Sequence, residues 1–272
     1  HALSGKKNVF LMTCSFAISI MMFLSFQVMV VFLNQGMPAL SPSAADVSIT
    51  MGNTLLDKSL VEQIGKMEGV DKVFGRMEMA GLSFSSNTGE GTITLISYDD
   101  NQFGWAKEEL NKGSITPAME NADSVLVTYQ DGVSWNVGDT VVLHTSSGDK
   151  QVTIAGILAT ATASGVNGAG SSGYMICSEQ TFAALVGDLG YTAIDVQFSS
   201  AAGDDAVSTI RSMVPSGSTV SDKRITNSES QSSYYTGAVF IYGFLIIIAL
   251  ITVFNIFNSM NASVASRTRQ YG

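Results

Sequence analysis

Two stretches without a charged side chain constrain this 272-residue chain more than any other feature: Val9–Leu33, of 25 residues, and Ala238–Met260, of 23. As helices rising 1.5 Å per residue they would be roughly 38 and 35 Å long, enough to cross a hydrocarbon core of about 30 Å with some tilt. A cleaved signal peptide is the alternative for the first run, with Lys6 and Lys7 before it and Ser43-Ala44-Ala45 after it. The apolar region of a signal peptide spans only about 7–15 residues, so the run reads as a transmembrane helix.

The charge then divides. Residues 34–237 hold all 23 acidic side chains and ten of the 14 basic ones, a net of -13. Lys6, Lys7, Arg267 and Arg269 lie outside the runs with no acid beside them. Basic residues close to a span hold their side in the cytoplasm, so both ends face the cytoplasm and the middle faces outside. The expected layout is a cytoplasmic flank (1–8), a first span (9–33), an extracytoplasmic domain with a C-terminal stalk (34–237), a second span (238–260) and a cytoplasmic exit (261–272). An acidic chain of which 14% is charged carries no basic nucleic-acid footprint.

Between the spans the pattern alternates. Asp46–Thr50, Lys72–Ser85, Thr92–Tyr98, Ser124–Thr128, Gly173–Cys177, Thr192–Phe198 and Ser218–Ser221 read as strands. Thr140–Thr145 and Gln151–Leu158 form the clearest hairpin, joined by Ser146-Ser147-Gly148-Asp149. Helices are expected over Thr54–Met67, Phe103–Leu110, Glu179–Val186 and Asp204–Val214, with a short one leading to Trp135 and a helical stalk over Asp222–Tyr235. Pro38 and Pro42 end the first span, and Ala159–Gly173 is a loop of small residues. The fold class is α+β, a mixed α/β domain flanked by two transmembrane helices.

Chemistry-bearing residues are scarce. Of two histidines, His1 is terminal and His144 sits in a strand, where a solvated face suits it and no Gly-x-Ser-x-Gly motif accompanies it. Cys14 and Cys177 fall in different regions and are not expected to pair; Cys177, in an apolar strand, reads as a small buried hydrophobe. Gly165–Gly170 lacks the strand before it and the spaced final Gly of a dinucleotide loop, and no P-loop occurs. Asp99-Asp100, Glu108-Glu109 and Asp204-Asp205 lack the spacing of a calcium loop and read as solvated faces. No catalytic residue, cofactor or metal is expected. On the second transmembrane helix Thr252, Asn255, Ser259 and Ala262 form one small, polar stripe with Asn258 beside it, and Ser15, Ser19 and Gln27 are similar in the first. Such stripes are expected to face other transmembrane helices, the alternative being that they line a substrate path.

Three stretches carry a resemblance. These are Gly5-Lys6-Lys7-Asn8-Val9-Phe10-Leu11-Met12; then Asn136-Val137-Gly138-Asp139-Thr140-Val141-Val142-Leu143 with Val152–Leu158; and Phe254-Asn255-Ile256-Phe257-Asn258-Ser259-Met260 with Arg267-Thr268-Arg269-Gln270-Tyr271-Gly272. With the span–domain–span layout, they resemble the FtsX/MacB-type permeases of ABC transporters, the first stretch being similar to large Gram-positive members. Gln270 and Tyr271 stand where that family more often has an acid and an aliphatic residue.

The resemblance implies a plasma-membrane permease subunit of the mechanotransmission type, with a MacB-like periplasmic core domain, that is not itself an enzyme. It implies a separate ABC ATPase meeting the exit at Arg267, Arg269, Gln270, Tyr271 and Gly272, further transmembrane helices or a dimer mate, and an extracellular peptide or lipid-linked substrate. It further implies a longer parent chain with two more spans, since the motif breaks off at Gly272. The alternative class is a two-span sensor with an extracellular ligand-binding domain; an anchored extracellular enzyme is disfavoured by the missing catalytic side chains.

Overall fold

The fold is that of a computed structural model, which describes residues 2–35, 42–52, 54–159, 161, 173–199 and 205–271. These fall into two compact units, Ser41–Thr226 and the paired segments His1–Leu40 and Asn227–Gly272.

The larger unit holds two sheets, as the α+β class requires. The smaller sheet has β1 (Val47–Thr50), β2 (Val70–Arg76), β10 (Ala193–Phe198) and β11 (Thr219–Asp222), in the order β11-β1-β10-β2 and antiparallel throughout. Because successive side chains point to opposite faces, Val47 and Ile49 share one face with Ile194 and Val196. All four are fully buried, in one core with Leu60 and Ile64 of α2 (Ser59–Gly65) and Val207 and Ile210 of α6 (Asp205–Met213). The opposite face carries Ser48 and Asp195, directly paired across the strands.

The larger sheet comprises β3 (Glu78–Ser86), β4 (Gly89–Tyr98), β5 (Leu110–Gly113), β6 (Ser124–Thr128), β7 (Thr140–Thr145), β8 (Gly148–Leu158) and β9 (Tyr174–Ser178). Its order is β5-β8-β6-β9-β4-β3-β7, and β7 also pairs with β8, so six strands close on themselves with β5 appended. Closure leaves those strands no free edge. The β4–β9 and β6–β8 pairs are parallel and the others antiparallel. One set of side chains, including Phe84, Ile93, Leu95, Val125, Val127 and Ile154, joins the core shared with the smaller sheet. The alternating set, Ile96, Tyr98, Leu126, Leu158 and Ile176, packs with Phe103 and Ala106 of α3 (Asp100–Ala106) and Ala118 of α4 (Thr116–Glu120). Strand β6 is therefore buried at every position, which explains its unbroken apolar run.

Several local expectations meet the structure closely. Helix α5 (Glu179–Val186) starts where Ser178 accepts a hydrogen bond from the Thr181 amide. The β7–β8 hairpin turns on Ser146-Ser147, with the Thr145 hydroxyl donating to the Gly148 carbonyl at 2.7 Å.

Others need correcting. The single strand expected over Lys72–Ser85 is two strands of different sheets, divided at Met77, whose amide donates to the Ser97 hydroxyl at 2.9 Å. No helix leads to Trp135: Asp131-Gly132 turns the chain, with Gly132 at φ +76° and a bridge between Gln130 and Val133. Helix α2 starts only at Ser59, because Leu56 is bound to Tyr191 by a reciprocal pair of backbone hydrogen bonds. Helix α3 begins before Phe103, since the Asp99 carboxylate and the Gln102 side chain form a capping box. Beyond Ala106 the chain makes a 3-10 turn, Lys107–Glu109, and enters β5.

The smaller unit consists of α1 (Ala2–Gln35) and α7 (Arg224–Tyr271), the latter 48 residues long and starting within the last residues of the larger unit. Among the described residues, Arg224–Asn258 of α7 is long and apolar enough to cross a membrane, whereas the apolar stretch described in α1, Phe16–Met29, is shorter.

Candidate functional site

Helix α7 carries the residues of interest at both ends and along its length. Thr252 donates its single hydroxyl proton to the Ile248 carbonyl at 2.9 Å. The hydroxyl of Ser19 on α1 lies 2.8 Å from Thr252 Oγ1, a hydrogen bond between the two helices. Nearer the N-terminus of α7, Phe244 meets Phe26 edge-on at 6.0 Å between centroids. Moving from Ser19 to Phe26 ascends α1 while the partners descend α7 from Thr252 to Phe244, so the two helices run antiparallel. Much of the rest of the shaft is open, with Val239 73% exposed, Phe240 77% and Ile246 61%, although Leu245 is buried. Contiguous apolar surface of that kind calls for lipid or further helices.

Asn258 is exposed, whereas the side chains of Asn255 and Ser259 lie outside the described residues, as do those of Arg267, Arg269, Gln270 and Tyr271. The α7 backbone remains helical as far as Tyr271. Gly272 and nearly all of the Ala159–Gly173 loop also lie outside the description, as does Asp204.

The root of α7 is anchored by a set of contacts that no sequence motif announced. The Lys223 amide donates to the Asp46 carbonyl at 2.7 Å, and the Asp46 carboxylate accepts from the Phe198 amide at 2.8 Å. Arg224 donates from Nε and Nη2 to the Asp222 carboxylate at 3.0 and 2.8 Å and lies over the Phe198 ring at 5.7 Å. Hydrogen bonding from Arg224 holds the Asp222 carboxyl below its ordinary range. Lys223 Nζ donates to Ser48 Oγ at 2.9 Å, Ser48 bonds to Asp195, and Asp195 Oδ2 lies 3.8 Å from Arg76 Nη1. Burial pushes the Asp195 carboxyl upward against the pull of Arg76, Ser48 and Lys223. The available signals were Asp195, the one charge inside β10, and the charged triplet Asp222-Lys223-Arg224 before the long helix.

Elsewhere the polar clusters are of other kinds. Ser85 Oγ lies 3.2 Å from His144 Nε2, and His144 Nδ1 lies 2.8 Å from Asp149 Oδ1. The order of groups is that of a hydrolytic triad, but the histidine and aspartate side chains are 44% and 68% exposed on an open sheet surface, where water competes for both contacts. Tyr191 donates to Glu179 at 2.6 Å with Lys58 over its ring, and burial pushes its phenol well above the usual range. Burial likewise raises the Asp99 carboxyl, although it caps α3. Cys14 and Cys177 are both free thiols; Cys177 is fully buried, which drives its thiol upward. Among the described residues no three His, Cys, Asp or Glu side chains gather as a metal site.

This arrangement of sheets is similar to solved extracytoplasmic domains of transporters. One is the periplasmic region of MacB from Actinobacillus actinomycetemcomitans, at 11% identity over 68% of this chain and 92% of that one, with a TM-score of 0.49. Another is the extracellular domain of the noncanonic ABC-type transporter YknZ from Gram-positive bacteria, at 12% identity over 64% of this chain and 98% of that one, with a TM-score of 0.47. No protein-family model and no curated protein matches the sequence.

Proposed function

We propose that the chain is a permease subunit of an ABC transporter of the mechanotransmission type. A separate ATPase binds the exit segment around Arg267–Gly272, and ATP-driven closure of that ATPase moves α7, whose root moves the extracytoplasmic sheets. The observation that carries this reading is the unbroken helix Arg224–Tyr271, with an apolar shaft between a charged root and a basic end. The exit and hairpin stretches that resemble FtsX/MacB-type permeases support it, as does the antiparallel pairing of α1 with α7. The protein resides in the plasma membrane with the sheets outside, alongside further transmembrane helices or a dimer mate. The outward-facing domain, with its net charge of -13, draws cationic groups over about one Debye length, ~8 Å at physiological salt, which favours a cationic peptide or lipid-linked molecule as cargo.

Orientation is testable in intact cells producing the full-length protein. Ser147→Cys, at the exposed tip of the β7–β8 hairpin, is expected to react with a membrane-impermeant maleimide before lysis. Ser266→Cys is expected to react only after lysis. The reverse pattern, or equal labelling of both, would overturn the orientation and with it the coupling route.

A further inference from the structure

The polar contacts at the root of α7 continue across the smaller sheet with one side chain from each strand. Lys223 follows β11 directly, Ser48 is on β1, Asp195 on β10 and Arg76 at the end of β2, and the strand order is β11-β1-β10-β2. The direction of every link is determined. Lys223 has only protons to give, so Ser48 Oγ accepts from it at 2.9 Å and passes its own single proton to Asp195. The carboxylate takes Ser48 on one oxygen and faces the Arg76 guanidinium with the other. Arg76 Nε in turn lies 3.6 Å from Glu78 of β3, the first residue of the closed sheet.

Asp195 is only 2% exposed and Arg76 5%. A carboxylate and a guanidinium withdrawn this far from water are retained only if they are paired and hydrogen-bonded, and removing one member leaves the other stranded. The two hydrogen bonds Lys223–Ser48 and Ser48–Asp195 polarise one another, and the Asp195 carboxylate joins them to the Arg76 ion pair at 3.8 Å. The apolar face of the same sheet needs no such device, being filled by Val47, Ile49, Ile194 and Val196.

We propose that Asp195 is the positioning residue of a strut, Lys223–Ser48–Asp195–Arg76, that ties the root of α7 across the whole smaller sheet to the edge adjoining the closed sheet. In the absence of the strut the first turn of α7 frays and force along the helix is dissipated there; with it, the force reaches both sheets. The inference rests on α7 being the element that moves, but its structural content stands apart from any ATPase.

Hydrogen exchange on the full-length protein in nanodiscs, without ATPase, reads it directly. Ser48→Ala and Lys223→Gln are each expected to speed exchange of the Lys223 and Arg224 amides about 10-fold, leaving Val125–Val127 of β6 within about 2-fold. Ser48→Thr, which keeps the hydroxyl, is expected to restore the original rate, and the double variant Ser48→Ala/Lys223→Gln to exceed neither single one. Asp195→Asn is expected to loosen the same root amides. Unchanged root amides, failure of Ser48→Thr to rescue, or acceleration spread evenly through both sheets would overturn the strut. Such a result would leave the permease reading standing, since no ATPase enters the measurement.

Discussion

Gly113→Ala is expected to destabilise the sheet-bearing unit by about 4 kcal/mol, from positive-φ strain of about 1–3 kcal/mol and overpacking of similar size. Gly113 closes β5 at φ +86°, and a methyl group there would run into the Ala155 carbonyl and lie 2.8 Å from Gly156 Cα. Both are backbone atoms of β8, held by the β5 pairing on one side and β6 on the other, so neither has room to yield. Gly132→Ala separates the two contributions, because Gly132 also has positive φ (+76°) but nothing within 4 Å of the added carbon. That variant should cost only about 1–2 kcal/mol. Urea denaturation followed by tryptophan fluorescence measures both, since Trp105 and Trp135, the only two tryptophans, lie in this unit. Equal losses for the two variants would contradict the packing described around β5.

The second large effect is expected at Gly75, where an alanine methyl would collide with the Tyr191 ring. That ring is 7% exposed and fixed at its far end by the hydroxyl bond to Glu179, so it cannot swing aside without breaking a hydrogen bond to a charged group. The combined cost is about 3 kcal/mol. In a Tyr191→Ala background the same Gly75→Ala change should cost under about 1 kcal/mol, a coupling of the size expected for side chains in contact. Additive losses in the double variant would show that the ring does not occupy the space above Gly75.

These two glycines mark where sequence reasoning stopped. The elements themselves were largely visible, because strand alternation and helical spacing are local signals. The pairings that join them were not. That β7 returns to β8 while β8 also reaches β5 and β6 depends on contacts between distant segments, and no short-range pattern encodes them. Met77 reads as part of one strand over Lys72–Ser85, yet the chain changes sheets there. Trp135 lies past a turn at Asp131-Gly132, where a short helix was expected.

The two charge-free runs were the most conspicuous feature of the sequence, and both lie on helices. Among the described residues Arg224–Asn258 is long and apolar enough to cross a membrane, whereas Phe16–Met29 is shorter. Of the polar stripe on the second run, Thr252 meets Ser19 of α1, while the side chains of Asn255 and Ser259 lie outside the described residues. At the root of α7 the sequence offered single charges, Asp195 in β10 and the triplet Asp222-Lys223-Arg224, but not their partners. Asp195, Ser48 and Lys223 are far apart in sequence, and only the register β11-β1-β10 makes them neighbours.

The central claim is that an ATPase acts on this chain through the basic end of α7. Its most direct measurement is co-purification of the full-length protein with its co-expressed ABC ATPase, with and without residues Ser266–Gly272. Loss of the ATPase on deletion, with membrane insertion and external labelling at Ser147→Cys retained, is the result predicted. Undiminished co-purification of the ATPase with the deleted protein would contradict the account.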